Sequence, residues 1–128
     1  MYYSQAGQDQ FLQKTVFQSF SNGFFMDVGA HNGISFNNTL YFENNYNWTG
    51  INIEPNQSVF TKLSENRPSC INLQVAVSNQ NGFAKFIQNT GYTEMLSGLV
   101  NSDDPRHFKR LQQENNQYNA TSSIISVP

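Results

Sequence analysis

Little in this chain could hold a metal, staple a fold or draw a polyanion. It has a single cysteine, Cys70, so no internal disulfide can form. No Cys/His spacing of the metal-binding kind surrounds it; no metal site is expected, and the residue reads as a buried apolar group. Positive charge is scarce: 7 Lys+Arg against 9 Asp+Glu give a formal net charge of -2, which leaves no basic surface for nucleic acid. No run of 18 apolar residues exists, so no membrane-spanning helix is expected. The segment Met1-Tyr2-Tyr3-Ser4-Gln5 lacks the basic and apolar regions of a secretory signal, and a cytoplasmic location is the expectation. No internal repeat is visible. What fills the sequence instead is amide and aromatic: Asn and Gln are frequent and interleave with 11 Phe and 6 Tyr. That interleaving argues for a folded domain with amide-rich surfaces rather than a low-complexity tract. At 128 residues, one domain spanning 1–128 is the expectation.

The organising stretch is Gly23-Phe24-Phe25-Met26-Asp27-Val28-Gly29-Ala30-His31-Asn32-Gly33. It reads as a short buried strand, Phe24 to Val28, running into a glycine turn and then a helix opening near Ser35. The glycines free the backbone and allow close approach, and a helix N-terminus presents unpaired N–H groups. In nucleotide-binding units an acid about 20 residues further on holds ribose hydroxyls. Here Trp48 to Ile53 supplies the second strand and Glu54 the acid. A dinucleotide turn is G-x-G-x-x-G, with a middle glycine against the pyrophosphate. This chain has Asp27-x-Gly29-x-x-x-Gly33 instead. An acid before the turn and no middle glycine suit a ligand with a cationic amino group and a small carboxylate, such as S-adenosylmethionine (SAM), better than a dinucleotide. The bland alternative is a glycine turn kept for helix packing alone.

Around this corner the pattern predicts alternating elements. Residues 4–20 carry Phe11, Leu12, Val16, Phe17 and Phe20 at helical spacing, and Ser21-Asn22-Gly23 stops the run. Ser35 would cap a helix with Phe36, Leu40 and Tyr41 inward. Pro55 ends strand two; Ser58 to Glu65 is the next helix, closed by Arg67-Pro68. Cys70 to Val77 reads as strand three, Ser78 to Gly82 as a turn, and Phe83 to Ile87 as a strand returning antiparallel near it. Residues 101–123 are expected to be a mobile polar connection before a short strand, Ile124 to Val127. The fold class predicted is α/β: a partial Rossmann-like sheet with parallel strands in the order 3-2-1, helices on both faces and a short antiparallel strand.

Six segments together, in this order, resemble the FkbM family of SAM-dependent methyltransferases: Tyr3 to Asp9, Phe25 to Gly33, Ser35 to Thr39, Gly50 to Asn56, Ala76-Val77-Ser78 and Met95-Leu96-Ser97-Gly98. The resemblance implies methyl transfer from SAM to a hydroxyl of a sugar, glycan or other small acceptor. It implies that Asp27, Gly29, Ala30 and Gly33 line the methionine end, that Glu54 with Pro55 serves the ribose side, and that Ala76, Val77 and Ser78 lie beside the adenine. Two positions depart from the family pattern: Asn32, where Asp is frequent, and Asn37, where Ser is frequent. After Ser126-Val127-Pro128 the family continues into further strands, so the chain is expected to be the cofactor-binding half of the fold, either a truncated reading frame or part of an assembly. A homodimer or a separate C-terminal half would then be its partner, and the alternative function is a SAM-binding or dimerising module without turnover.

The catalytic base stays unassigned. His31 lies inside the turn, where bracing the loop is its simpler role; His107, within the basic cluster Arg106 to Arg110, and Asp9 in the N-terminal segment are the other candidates.

Overall fold

The computed structural model describes residues 1–100 and 105–128, without the side chains of Thr93, His107 and Phe108. The chain divides into two compact units, Met1–Glu54 with Val59–Leu73, and Pro55–Ser58 with Gln74–Pro128.

In the first unit, α1 (Gln8–Phe11) continues as a π-helical segment, Leu12–Phe17, and leads to β1 (Phe24–Val28). Then come α2 (Leu40–Tyr46), β2 (Thr49–Ile53), α3 (Gln57–Asn66) and β3 (Ile71–Leu73). The three strands pair in parallel in the order β1-β2-β3, with Met26 beside Ile51 and Ile51 beside Ile71. That is the strand order expected from the sequence. The helices, however, are not on both faces. Two right-handed crossovers that step in the same direction across a sheet put their helices on the same side. Strand alternation turns Phe25, Asp27, Gly50, Asn52 and Asn72 to that side.

There Phe25, Phe42 and Trp48 form the core, with Leu12, Phe17, Tyr41 and Tyr46 packed around them. The rings of Phe42 and Trp48 lie 4.9 Å apart, and Phe17 meets Trp48 edge-on at 4.9 Å. Gly50 is small for the same reason: a Cβ there would stand 2.5 Å from the Phe25 ring. Phe24, Met26, Val28 and Ile71, on the opposite face, remain 62%, 63%, 58% and 56% exposed. Among the described residues no strand pairs with the outer edge of β1.

The second unit is built on an antiparallel sheet of order β5-β4-β6, from β4 (Ala84–Thr90), β5 (Gly98–Leu99) and β6 (Thr121–Val127). A 3-10 turn, Gly91–Leu96, joins β4 to β5, and α4 (Pro105–Tyr118) precedes β6. The expected short antiparallel strand is therefore a three-stranded sheet. β4 pairs with β6, Phe86 opposite Ile125, instead of returning beside strand three. Strand three itself stops at Leu73, well short of Val77.

Where a mobile connection was expected over 101–123, residues 105–118 are helical and β6 begins at Thr121; residues 101–104 lie outside the described residues. The helix was hidden because its apolar face is thin, with Leu111 buried among polar neighbours. Local features support it: Pro105 at the first helical position, the Arg110–Glu114 pair at 2.7 Å, and Tyr118 stacked on Tyr92 at 3.9 Å.

Candidate functional site

At the carboxyl end of β1 the chain turns sharply. Gly29, His31 and Gly33 all take positive φ, at 80°, 52° and 77°, a conformation that costs a residue with a side chain about 1–2 kcal/mol. Neighbours hold the turn in place. The N–H groups of Gly29 and Ala30 both donate to the Ile53 carbonyl, at 2.9 and 3.0 Å. The His31 N–H donates to Glu54 Oε2 at 3.0 Å, and the Asn66 side chain donates to the Asn32 carbonyl at 2.9 Å. Asn32 Oδ1 accepts from Ile34 and Ser35 N–H, so Asn at this position closes the loop as Asp would.

The two glycines serve different ends. A Cβ on Gly29 would meet nothing within 4 Å, so its backbone is open to a ligand. A Cβ on Gly33 would stand 2.6 Å from Arg67 Cγ and 2.8 Å from Leu63 Cδ1. Gly33 is small so that α3 and Arg67 can pack against it.

Glu54 is buried and extends the ladder beyond β2 through its N–H to the Leu73 carbonyl, at 3.1 Å. Asp27 lies beside Asn52 in the register. Its Oδ2 accepts from Asn37 Nδ2 at 2.9 Å and from the Thr39 hydroxyl at 3.0 Å. The helix after the turn begins at Leu40, not near Ser35. Its cap is Asn37, whose Oδ1 accepts from the N–H groups of Thr39 and Leu40 at 2.9 and 2.8 Å. The residue that sequence reasoning missed is Arg67. It is fully buried, ion-paired with Glu43, and bonded to the Gly33 carbonyl and Asn37 Oδ1 at 3.0 and 3.1 Å. Its signal in the sequence was an arginine placed directly before Pro68, which reads as a helix stop.

Asp27, Gly29, Ala30, Gly33 and Glu54 are thus brought to the carboxyl ends of two adjacent strands. Pro55, Ala76, Val77 and Ser78 belong to the second unit. There Ala76 donates to the Pro128 carbonyl at 2.8 Å, and Ala76 to Ser78 border a hollow of about 270 Å³ with Gly82 and Phe83. A larger hollow in that unit, about 650 Å³, is walled by Ile87, Leu111 and Asn115 among others, and none of the expected site residues with a described side chain lines it.

Among the candidate bases, Asp9 is fully buried and fully engaged. Burial pushes its carboxyl up, but hydrogen bonds from the Ser4 hydroxyl and from the N–H groups of Tyr3, Ser4 and Gln10 outweigh it and hold it below its ordinary value. This carboxylate staples the N-terminal segment. His31 contributes a main-chain donor to the turn. The side chain of His107 lies outside the described residues.

The first unit is a parallel α/β unit with a glycine turn at its carboxyl edge and an acid at the end of each of two neighbouring strands. The family model described as the Methyltransferase FkbM domain matches residues 27–124, starting on Asp27, and the chain belongs to that family of methyltransferases. No curated protein and no solved structure matches the chain.

Proposed function

We propose that the protein uses SAM as methyl donor and methylates a hydroxyl group of a sugar or other small acceptor. The observation that carries this reading is the pair of carboxylates, Asp27 and Glu54, ending adjacent parallel strands around a turn whose Gly29 leaves open space for a ligand. The fit is chemical as well as spatial. Asp27 Oδ2 is occupied by Asn37 and Thr39, and Oδ1 accepts no hydrogen bond among the described residues, so it is suited to a ligand's ammonium group. Glu54 would accept from the ribose hydroxyls, while Gly29, Ala30 and Gly33 shape the backbone beside the methionine end.

When bound, SAM supplies an electrophilic methyl on a sulfonium. The chain's residues have to bind it, orient it and exclude water from the acceptor. Calorimetry with SAM, S-adenosylhomocysteine and NAD tests the donor; binding of NAD alone would reject it. Replacing Glu54 with Ala (Glu54→Ala) is expected to weaken SAM binding by about 1–3 kcal/mol, the cost of leaving buried hydrogen-bond partners unmatched. Unchanged affinity would mean that the ribose site is misassigned.

A second reading, a SAM-binding or dimerising module without turnover, is favoured by the exposed apolar face of β1 and by its outer edge, which no strand among the described residues pairs. Transfer of label from methyl-labelled SAM into a glycan extract separates the two, and SAM binding without label transfer selects the second. Among the described residues no helix is long and apolar enough to cross a membrane.

A further inference from the structure

We propose that Arg67 is a positioning residue for the Asp27 site: its guanidinium orients Asn37 and Thr39 so that both donate to one oxygen of Asp27 and leave the other aimed at the ligand. The inference rests on the reading of Asp27 as the partner of the cofactor's amino group. Arg67 is buried to 0% exposure and spends its planar fork on four acceptors. Nε pairs with Glu43; Nη1 donates to the Gly33 carbonyl at 3.0 Å and to Asn37 Oδ1 at 3.1 Å; Nη2 donates to Thr39 Oγ1 at 3.2 Å. The Phe25 ring closes the site, its centroid 5.4 Å from the guanidinium carbon.

Each bond fixes a polarity further on. Asn37 Oδ1 takes N–H donors from Thr39, Leu40 and Arg67, which turns the amide so that Nδ2 faces Asp27 at 2.9 Å. Thr39 Oγ1 accepts from Arg67, so its own proton must go elsewhere. The neighbouring Asn37 Oδ1, at 3.0 Å, is already taken by three N–H groups, which leaves Asp27 Oδ2, also at 3.0 Å. Two donors on one oxygen lock the carboxylate in rotation. A lysine could not replace this fork, because an ammonium offers a point charge without the planar array that meets several acceptors at once.

A purely structural arginine would matter equally to every ligand, whereas a positioning arginine matters to the amino group. The test uses Arg67→Lys together with Thr39→Val, which keeps the shape and removes the hydroxyl donor, and Thr39→Ser, which restores it. Without ligand, NMR hydrogen exchange of the Asn37 side-chain amide is expected to speed up about tenfold or more in Arg67→Lys. The Trp48 indole N–H, bonded to the Phe20 carbonyl at 2.9 Å, serves as the reference for an intact fold. Unchanged Asn37 exchange in a folded variant overturns the inference.

With ligand, Thr39→Val is expected to weaken SAM about five- to tenfold and to leave 5′-methylthioadenosine, which lacks the amino acid end, unaffected. Equal losses for both nucleosides, or no rescue by Thr39→Ser, overturn it. If the unaltered protein binds neither nucleoside, the SAM reading falls, and the Asn37 exchange still decides the role of Arg67. Should Arg67→Lys lose the Trp48 signal, the Thr39 variants decide it.

Discussion

Adding one methyl group at Gly33 should cost the fold more than adding the same methyl group at Gly29. Both residues have φ near 80°, so each Gly→Ala change carries a left-handed penalty of about 1–2 kcal/mol. At Gly29 that is the whole cost without ligand, because the new Cβ meets nothing within 4 Å. At Gly33 the Cβ would stand 2.6 Å from Arg67 Cγ and 2.8 Å from Leu63 Cδ1. Neither neighbour can swing away, since both side chains are at 0% exposure and Arg67 is held by its hydrogen bonds. Overpacking of this kind costs about 1–3 kcal/mol, which brings Gly33→Ala to about 2–5 kcal/mol. Urea unfolding followed through Trp48, the sole tryptophan and part of the core beside β1, measures both. SAM affinity should rank the variants the other way, with Gly29→Ala the more damaging. If Gly33→Ala proves no more destabilising than Gly29→Ala, the division of the turn into a packed glycine and an open one is wrong.

Three further outcomes follow from the same contacts. Glu43→Gln removes the carboxylate from a fully buried guanidinium and should cost about 3–5 kcal/mol in urea unfolding; less than about 1 kcal/mol would mean that the other acceptors of Arg67 suffice. Asn37→Asp turns the donor facing Asp27 into a second carboxylate oxygen and should destabilise the protein at neutral pH by about 1–3 kcal/mol, although Arg67 gains a charge partner; an unchanged urea midpoint would refute the relay. Asp9 has a folded-state pKa below its unfolded value, so its stabilisation is complete above the unfolded value and is lost as pH falls through the folded one. Stability measured from about pH 7 down to about pH 3 should therefore fall more steeply in the unaltered protein than in Asp9→Asn; parallel curves would show that the N-terminal staple contributes nothing.

The parallel sheet was legible because its strands are short, apolar and bounded by strong turn signals, from Gly23 at one end to Pro55 at the other. The glycine turn and its two acids were legible through spacing. The side of the sheet taken by the helices was not, although handedness alone decides it once the order β1-β2-β3 is known. The second unit was harder for a physical reason. Among the described side chains of α4 only Leu111 is buried, and its polar neighbours made the segment read as a connection. Arg67 escaped for the opposite reason: a guanidinium is normally a surface group, and only coordinates bring the Gly33 carbonyl, Asn37, Thr39 and Glu43 around it.

The scarcity of charge and the abundance of amides are expressed together at this site. An amide side chain is donor and acceptor at once, which makes it a neutral group able to stand between a cation and an anion and satisfy both. Asn37 does so between Arg67 and Asp27 while also capping α2. A serine there has one proton and a shorter reach; an aspartate has no proton to give at neutral pH. The same logic runs across the sheet, where Asn52 donates to its register partner Asn72 at 3.0 Å and Asn72 donates to the Arg67 carbonyl at 3.0 Å. The second unit repeats it, with Asn56 donating to the Asn89 carbonyl at 3.1 Å and to the Ser97 hydroxyl at 3.0 Å. Buried carboxylates repel one another and need a counter-ion, but amides chain together without one. At Asp27 the amide of Asn37 donates to the carboxylate on one side while its oxygen accepts from the Arg67 guanidinium on the other, so the acid is supported without a second carboxylate beside it.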